Sequence, residues 1–139
     1  MDSIDRKILS ALQSDCSGSI ADIADRAGVS QTPCWRRIKK LEEAGYIDKR
    51  VALLNPKALS LTMTAYVMVK TAHHDDAWLK RFSDGVRNIP EIVEIHRMAG
   101  DIDYLLKIVA GDIAEYDAIY KRLIKVAELS DVSASFSME

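Results

Sequence analysis

Four cations fall within five residues, Arg36, Arg37, Lys39 and Lys40, with Trp35 beside them and Gln31 and Thr32 one turn earlier. Cations at that density neutralise phosphates, and Gln and Thr side chains hydrogen-bond base edges, so the chemistry on offer is nucleic-acid binding. The other reactive residue types are scattered. His73-His74-Asp75-Asp76, and His96 beside Arg97, offer acid-base or metal-ligating groups. Adjacent histidines point to different sides of an extended chain or well apart on a helix, so the run reads better as a polar loop leading into a helix. Cys16 and Cys34 are too few and too isolated for a disulfide framework or a metal knuckle. The sequence has no Gly-rich phosphate loop, nucleophile elbow or paired-carboxylate motif, so no catalytic residue, metal or cofactor is expected.

The basic cluster needs a helix to carry it, and residues 3–44 have helical periodicity throughout. Ile4, Ile8, Leu9 and Leu12 mark one apolar face, with Asp2 or Ser3 as N-cap and an end near Asp15 to Gly18. Ser19-x-x-Asp22 resembles a capping box opening a second, short helix with Ile20, Ile23, Ala24 and Ala27 on its apolar side. Gly28-Val29-Ser30 then supplies a C-terminal glycine, one apolar wedge and a new N-cap before a third helix from about Gln31 to Ala44. Two short helices joined by a glycine-containing turn form the helix-turn-helix pattern, and an ordinary helical hairpin is the alternative. At about 100° per residue, Cys34, Ile38 and Leu41 face the core. Thr32, Arg36, Lys39 and Glu43 lie opposite, with Trp35 and Lys40 on the flanks. Ser30, Gln31, Thr32, Trp35, Arg36, Arg37, Lys39 and Lys40 are therefore the candidate DNA-binding residues, Gln31 and Thr32 for base edges. Each has a plainer alternative: a solvated surface for the cations, a hydrophobic clamp for Trp35, packing for Cys34. Arg37 projects nearer the core, which leaves an internal ion pair and a phosphate contact equally open.

After Gly45 the period changes to two. Tyr46 to Leu53 reads as a strand or short hairpin stopped by Asn55-Pro56, the position of a wing, with Lys49 and Arg50 as candidate phosphate contacts. The domain boundary is expected at Lys57 to Leu61, giving domains 1–60 and 61–139. The second domain runs strand (Met63 to Val69), helix (Trp78 to Ile89, stopped by Pro90), strands Ile92 to Ala99 and Ile102 to Ala110 around Gly100-Asp101, helix (Ile113 to Leu123) and strand (Val132 to Met138). That is the ferredoxin-like βαββαβ order, an α+β fold with both helices on one sheet face. Tyr66, Met68, Leu105 and Val109 make the other face too apolar for water, so a second copy is expected to cover it. Two domains of this size are also marginal alone, which again favours a homodimer.

Composition sets the remaining bounds. The 139 residues are 48% hydrophobic and 29% charged with a net charge of −2, a globular profile. Residues 1–60 hold ten basic and eight acidic side chains and residues 61–139 nine and thirteen, so a net +2 half precedes a net −4 half. The longest stretch without a charge, Ala58 to Val69, is shorter than a membrane span, and no apolar run follows the N-terminus. No membrane partner and a cytoplasmic location are expected.

The chain resembles the Lrp/AsnC, or feast/famine, family of transcriptional regulators over essentially its whole length. The resemblance is carried by Ile4-Asp5-Arg6-Lys7-Ile8-Leu9, Gly28-Val29-Ser30-Gln31-Thr32-Pro33-Cys34-Trp35-Arg36-Arg37-Ile38, Leu41-Glu42-Glu43-Ala44-Gly45-Tyr46-Ile47, Ala52-Leu53-Leu54-Asn55-Pro56 and Gly100-Asp101-Ile102-Asp103-Tyr104-Leu105-Leu106. It implies a (winged) helix-turn-helix that binds double-stranded promoter DNA and an ACT-like (RAM) domain that dimerises and binds an amino-acid effector. It also implies assembly of dimers into octamers or larger discs. The family's effector loop falls on Gly100, Asp101, Asp103 and Tyr104, although Gly100-Asp101 on its own spacing is simply a turn. Family members usually run on past the position of Met138-Glu139 through a segment rich in Lys, Thr and Leu-Pro. A DNA-organising protein with little effector control is the alternative within the binding class, and a small ferredoxin-like enzyme or metal protein is the alternative outside it.

Overall fold

A run of short helices needs its ends satisfied before it can pack, and the first helix shows how this chain does it. The computed structural model describes residues 1–138, in which α1 spans Ser3–Ser14. Asp2 is its N-cap: the Asp5 N–H donates to Asp2 Oδ1 and the Asp2 N–H donates to Asp5 Oδ2, both at 2.9 Å. The second helix, α2 (Ile20–Ala27), opens on the expected Ser19/Asp22 capping box and closes at Gly28, whose φ of +72° is the left-handed turn that glycine adopts freely. The third, α3 (Gln31–Glu43), buries Cys34, Ile38 and Leu41 as its periodicity predicts. They pack with Ile8, Ala11, Ile23, Ala24 and Ala27 in one core. The last turn of α1 has no basic residue of its own. Arg26 of α2 compensates by donating to the Ala11 carbonyl at 3.0 Å and the Asp15 carbonyl at 2.6 Å.

The chain divides into two compact units, Met1–Leu53 and Leu54–Glu139, a few residues before the boundary expected at residue 60. No strand forms over Tyr46 to Leu53, which corrects the strand or hairpin expected there. A strand needs a neighbour for its ladder, and in the single chain the segment is engaged otherwise: the Tyr46 N–H closes the end of α3 on the Leu41 carbonyl at 2.9 Å, and Arg50 Nη2 reaches Glu42 at 2.8 Å. Asn55-Pro56 does act as a stop, with the Asn55 side chain accepting from the N–H groups of Lys57 and Ala58.

In the second unit β1 (Met63–Lys70), α4 (Asp76–Arg87), β2 (Ile92–Arg97), β3 (Tyr104–Ala110), α5 (Ile113–Leu123) and β4 (Asp131–Phe136) form the expected βαββαβ order. The sheet runs β2-β3-β1-β4 with every neighbouring pair antiparallel. Ala65, Val67 and Val69 of β1 and Leu106, Ile108 and Ala110 of β3 share one face, as the pairing of Val67 with Leu106 requires, and both helices bury it. Trp78 stacks on Phe82 at 4.9 Å between ring centroids, and Phe82 meets Tyr104 at 4.7 Å. On the opposite face Tyr66 is exposed and Met68, Leu105 and Val109 are half-buried.

Helix α4 sits close to the segment after α5 at Gly85, where an added Cβ would stand 2.3 Å from Val126 Cγ1. Gly85→Ala should therefore lower the thermal stability of this unit, because overpacking of about 1–3 kcal/mol outweighs the gain of up to about 1 kcal/mol in helix propensity. The double variant Gly85→Ala/Val126→Ala should recover part of the loss in thermal melts. Simple additivity of the two substitutions would show that the contact is not limiting.

Candidate nucleic-acid interface and effector loop

The predicted DNA-binding residues cluster on α3 and its N-cap, and the local sequence explains why they are displayed. With Cys34, Ile38 and Leu41 buried, Gln31, Thr32, Trp35, Arg36, Lys39 and Lys40 are forced outward, and Trp35 is left 51% exposed although it is the largest apolar side chain on the helix. The helix begins without a cap bond. Ser30 occupies the N-cap with no side-chain hydrogen bond, and no acidic residue lies in the first turn. In α1, α2, α4 and α5 the side chain of Asp2, Ser19, Asp75 or Asp112 accepts from the first turn. The positive end of the α3 dipole is thus the only bare one among the five helices described.

The four clustered cations divide into two pairs. Arg37 Nη1 donates to Asp2 Oδ2 and to Asp5 Oδ1, both at 2.6 Å. Lys39 Nζ lies 3.1 Å from Glu42, the carboxylate that also holds Arg50. Arg36 and Lys40 form no ion pair among the described residues and line an open groove of about 420 Å³ with Pro33, Leu41 and Tyr46. Arg37, which sequence spacing left between two roles, is engaged by carboxylates here. Arg50 is engaged likewise.

The four effector-loop residues do not converge. Gly100 takes a φ of +144° in a loop longer than the two-residue turn expected, because β2 ends at Arg97 and β3 begins only at Tyr104. The loop closes where the Met98 N–H donates to the Asp103 carbonyl at 2.9 Å, and Asp101 is exposed within it. Asp103 is turned toward β1: its Oδ2 accepts from the Thr71 N–H at 2.9 Å, and its own N–H donates to the Val69 carbonyl at 2.9 Å. Tyr104 is 7% exposed in the aromatic stack. Asp103 and Tyr104 border a concavity of about 80 Å³ with Thr71, His73, His74 and Arg97, while Gly100 and Asp101 lie outside its lining. Sequence spacing missed Thr71 because its contribution is a backbone N–H, which any residue but proline supplies.

The histidine run is the polar lead-in expected. Asp75 caps α4 by accepting from the Trp78 N–H at 2.9 Å, and His73 lies 3.2 Å from Glu128. No group of three potential metal ligands occurs among the described residues. No helix of the described residues is long and apolar enough to cross a membrane. Cys34 is fully buried, and that burial pushes its thiol pKa up, away from reactive thiolate character.

Residues 1–48 match the winged helix-turn-helix DNA-binding family, and residues 64–139 match the Lrp/AsnC ligand binding domain. The chain belongs to the Lrp/AsnC family of transcriptional regulators. It is 45% identical to the DNA-binding transcriptional activator DecR of Escherichia coli (strain K12), over 100% of this chain and 92% of that protein. The crystal structure of an AsnC family transcriptional regulator from Agrobacterium tumefaciens superposes with a TM-score of 0.91 at 54% identity, covering 100% of this chain and 91% of that one. A transcriptional regulator of Neisseria meningitidis, solved as a complex with L-Met, gives a TM-score of 0.90 at 29% identity over 100% and 90% of the two chains. This Lrp/AsnC chain is thus a DNA-binding transcriptional regulator and not an enzyme.

The regulator's Asp2–Asp5–Arg37 cluster has a pH consequence. The Asp2 carboxyl is held below its ordinary value first by the Asp5 N–H and then by Arg37, and Asp5 likewise by the Asp2 N–H and Arg37. Carboxyls lowered in the folded state stabilise it above the unfolded aspartate value of about 3.9, and that contribution disappears as pH falls through the lower folded values. Residues 1–53 should therefore lose stability below about pH 4, and Asp2→Asn/Asp5→Asn should flatten that acid limb in far-UV circular dichroism melts. An acid limb unchanged by the substitution would show that other carboxylates control it.

Proposed function

We propose that α3 is the DNA-reading helix of this regulator, with Gln31 and Thr32 at base edges and Trp35 extending that contact. Arg36 and Lys40 are its principal phosphate contacts, Ser30 and the bare helix start approach a further phosphate, and Lys39 is a contact that must first loosen its hold on Glu42. The observation that carries this reading is the division of the cations: the two without ion-pair partners among the described residues both line one groove, and Trp35 on the same helix is exposed. A free cation can replace condensed counterions on a phosphate, whereas a paired one must first give up its carboxylate.

The second unit is read as the sensing and pairing domain. The family description supports a ligand, and the Neisseria meningitidis relative in complex with L-Met supports an amino-acid effector. The loop around Gly100, Asp101 and Asp103, with Tyr104 beneath it, is the proposed site. A concavity of about 80 Å³ in one chain falls well below the roughly 300 Å³ at which ligand pockets begin, so a second copy must supply further walls. The apolar sheet face of Tyr66, Met68, Leu105 and Val109 supports a homodimer through the β-sheet, from which octamers are built as in the family, and the reading places the protein in the cytoplasm.

For full-length protein on a duplex selected by it from a random library, Arg36→Ala and Lys40→Ala should each reduce the slope of log affinity against log salt by about 1. Trp35→Ala should lose discrimination between selected and random duplexes with the slope unchanged. Wild-type binding in all three would remove α3 from the interface. A thermal-shift screen of the twenty amino acids should find at least one that raises the melting temperature of the second unit, and Asp101→Ala should abolish that shift. In sedimentation Leu105→Glu should convert the dimer to monomer; a dimer that persists would move the interface off this face.

A further inference from the structure

We infer that Arg37 is a positioning residue for DNA reading: by bridging the two carboxylates of the α1 capping box it sets the angle at which α3 presents Thr32, Trp35 and Arg36, and it makes no contact with DNA itself. This rests on α3 being the reading helix.

The geometry of the acceptors carries the argument. Asp2 and Asp5 are tied to each other's backbone N–H groups, so the guanidinium docks on a preformed pair of carboxylates 35 and 32 residues away in sequence. Little side-chain freedom remains to be lost on the acceptor side, which is what distinguishes this pair from an ordinary surface ion pair. The Arg37 side chain is 31% exposed and that of Asp5 16%, so the contact is partly withdrawn from screening solvent.

Charge then excludes the competing role. One guanidinium between two carboxylates leaves a trio of net charge −1, so a phosphate approaching Arg37 meets repulsion. Arg36 and Lys40 border the same groove with no ion-pair partner among the described residues. Position supplies the mechanism. Asp5 and Arg37 form part of the groove lining with those two cations, so the tie between α1 and α3 is also one side of the proposed binding surface. Thr32 lies five residues before Arg37 on a rigid helix, roughly 7–8 Å along the axis, so a tilt of about 10° about Arg37 displaces it by more than 1 Å. Base-edge hydrogen bonds fail at such a displacement, because a recognition constellation tolerates only about 0.5 Å. Long cationic side chains on phosphates follow it easily. A positioning defect therefore removes specific affinity and spares non-specific affinity.

The experiment uses full-length protein and two duplexes of equal length, one selected by the wild type from a random library and one of random sequence, each titrated across a salt series. Arg37→Gln should weaken the selected duplex by about fivefold or more, the low end of one lost base contact, beyond the smaller loss that removing one positive charge imposes on both duplexes alike, and without a drop of about 1 in either salt slope. Asp2→Asn/Asp5→Asn removes two negative charges and so on charge alone should tighten DNA binding. The positioning role requires the opposite, a loss on the selected duplex. Arg37→Lys, which keeps the charge, should recover part of what Arg37→Gln loses. The proposal is overturned if Arg37→Gln weakens both duplexes equally, with or without a drop of about 1 in slope, or if Asp2→Asn/Asp5→Asn tightens the selected duplex. Helix content is matched to wild type by circular dichroism. Should the double variant unfold, Asp5→Asn alone, which retains the Asp2–Arg37 pair, is held to the same sign test. Wild-type binding by both Trp35→Ala and Arg36→Ala would overturn the reading helix and the proposal together, whereas losses there with none in Arg37→Gln would overturn the positioning role alone.

Discussion

The amino-terminal unit depends on α1 being held at both ends by guanidinium groups that come from the two helices of the helix-turn-helix. At its C-terminus Arg26 of α2 satisfies the Ala11 and Asp15 carbonyls, which no basic residue in the last turn of α1 could reach. At its N-terminus Arg37 of α3 bridges the carboxylates that cap it. A core of eight buried residues, three of them alanines and one a cysteine, has little apolar surface with which to fix helix angles. Directional contacts at the two ends of α1 supply that orientation, and each also satisfies backbone or capping groups that would otherwise be solvated only by water.

The same economy shapes the second unit. Its aromatic stack of Trp78, Phe82 and Tyr104 lies beneath the start of β3, and Trp78 Nε1 also donates to the Glu128 carbonyl at 2.8 Å, tying the start of α4 to the approach to β4. The proposed effector loop is therefore anchored at one end by a buried tyrosine and by Asp103 on the backbone of β1. Gly100 and Asp101, the residues best able to approach a ligand, lie between those anchors and Met98. On the proposed reading, residue types that look like one binding motif in sequence divide into foundation and contact. Asp103 and Tyr104 are foundation by their hydrogen bonds and burial.

Periodicity and capping made most of the fold legible. Ile23 with Ala24 and Ala27, Cys34 with Ile38 and Leu41, and Val67 with Val69 are all buried where their spacing places them, because one-sided burial and a 3.6- or 2-residue repeat leave little choice. Tyr46 to Leu53 failed for the converse reason: alternation of apolar residues states that a segment can pair, and pairing requires a second strand that one chain does not provide here. In the site, outward display on α3 followed from the helix period. Which cations were free did not, because Asp2 and Asp5 lie more than thirty residues from Arg37 and only the folded packing of α1 on α3 brings them together. Thr71 left no signature, since it acts through its main chain.

The capping pattern joins stability to function. Among the described residues four helices place an Asp or Ser side chain on their first turn, a contact worth about 0.5–2 kcal/mol each, and of the five described helices α3 alone begins on a serine whose hydroxyl is not so used. Ser30 is of the right residue type, but each of the other caps accepts from the N–H three residues on, and in α3 that position is Pro33, which has none. An uncapped helix start is a standing destabilisation unless an external acceptor completes it. On the proposed reading, the phosphate backbone supplies that acceptor beside Arg36 and Lys40. The net charge of −2 is then no obstacle to DNA binding. The charges that count are those left without internal partners, and on α3 these are the two cations and the open helix end.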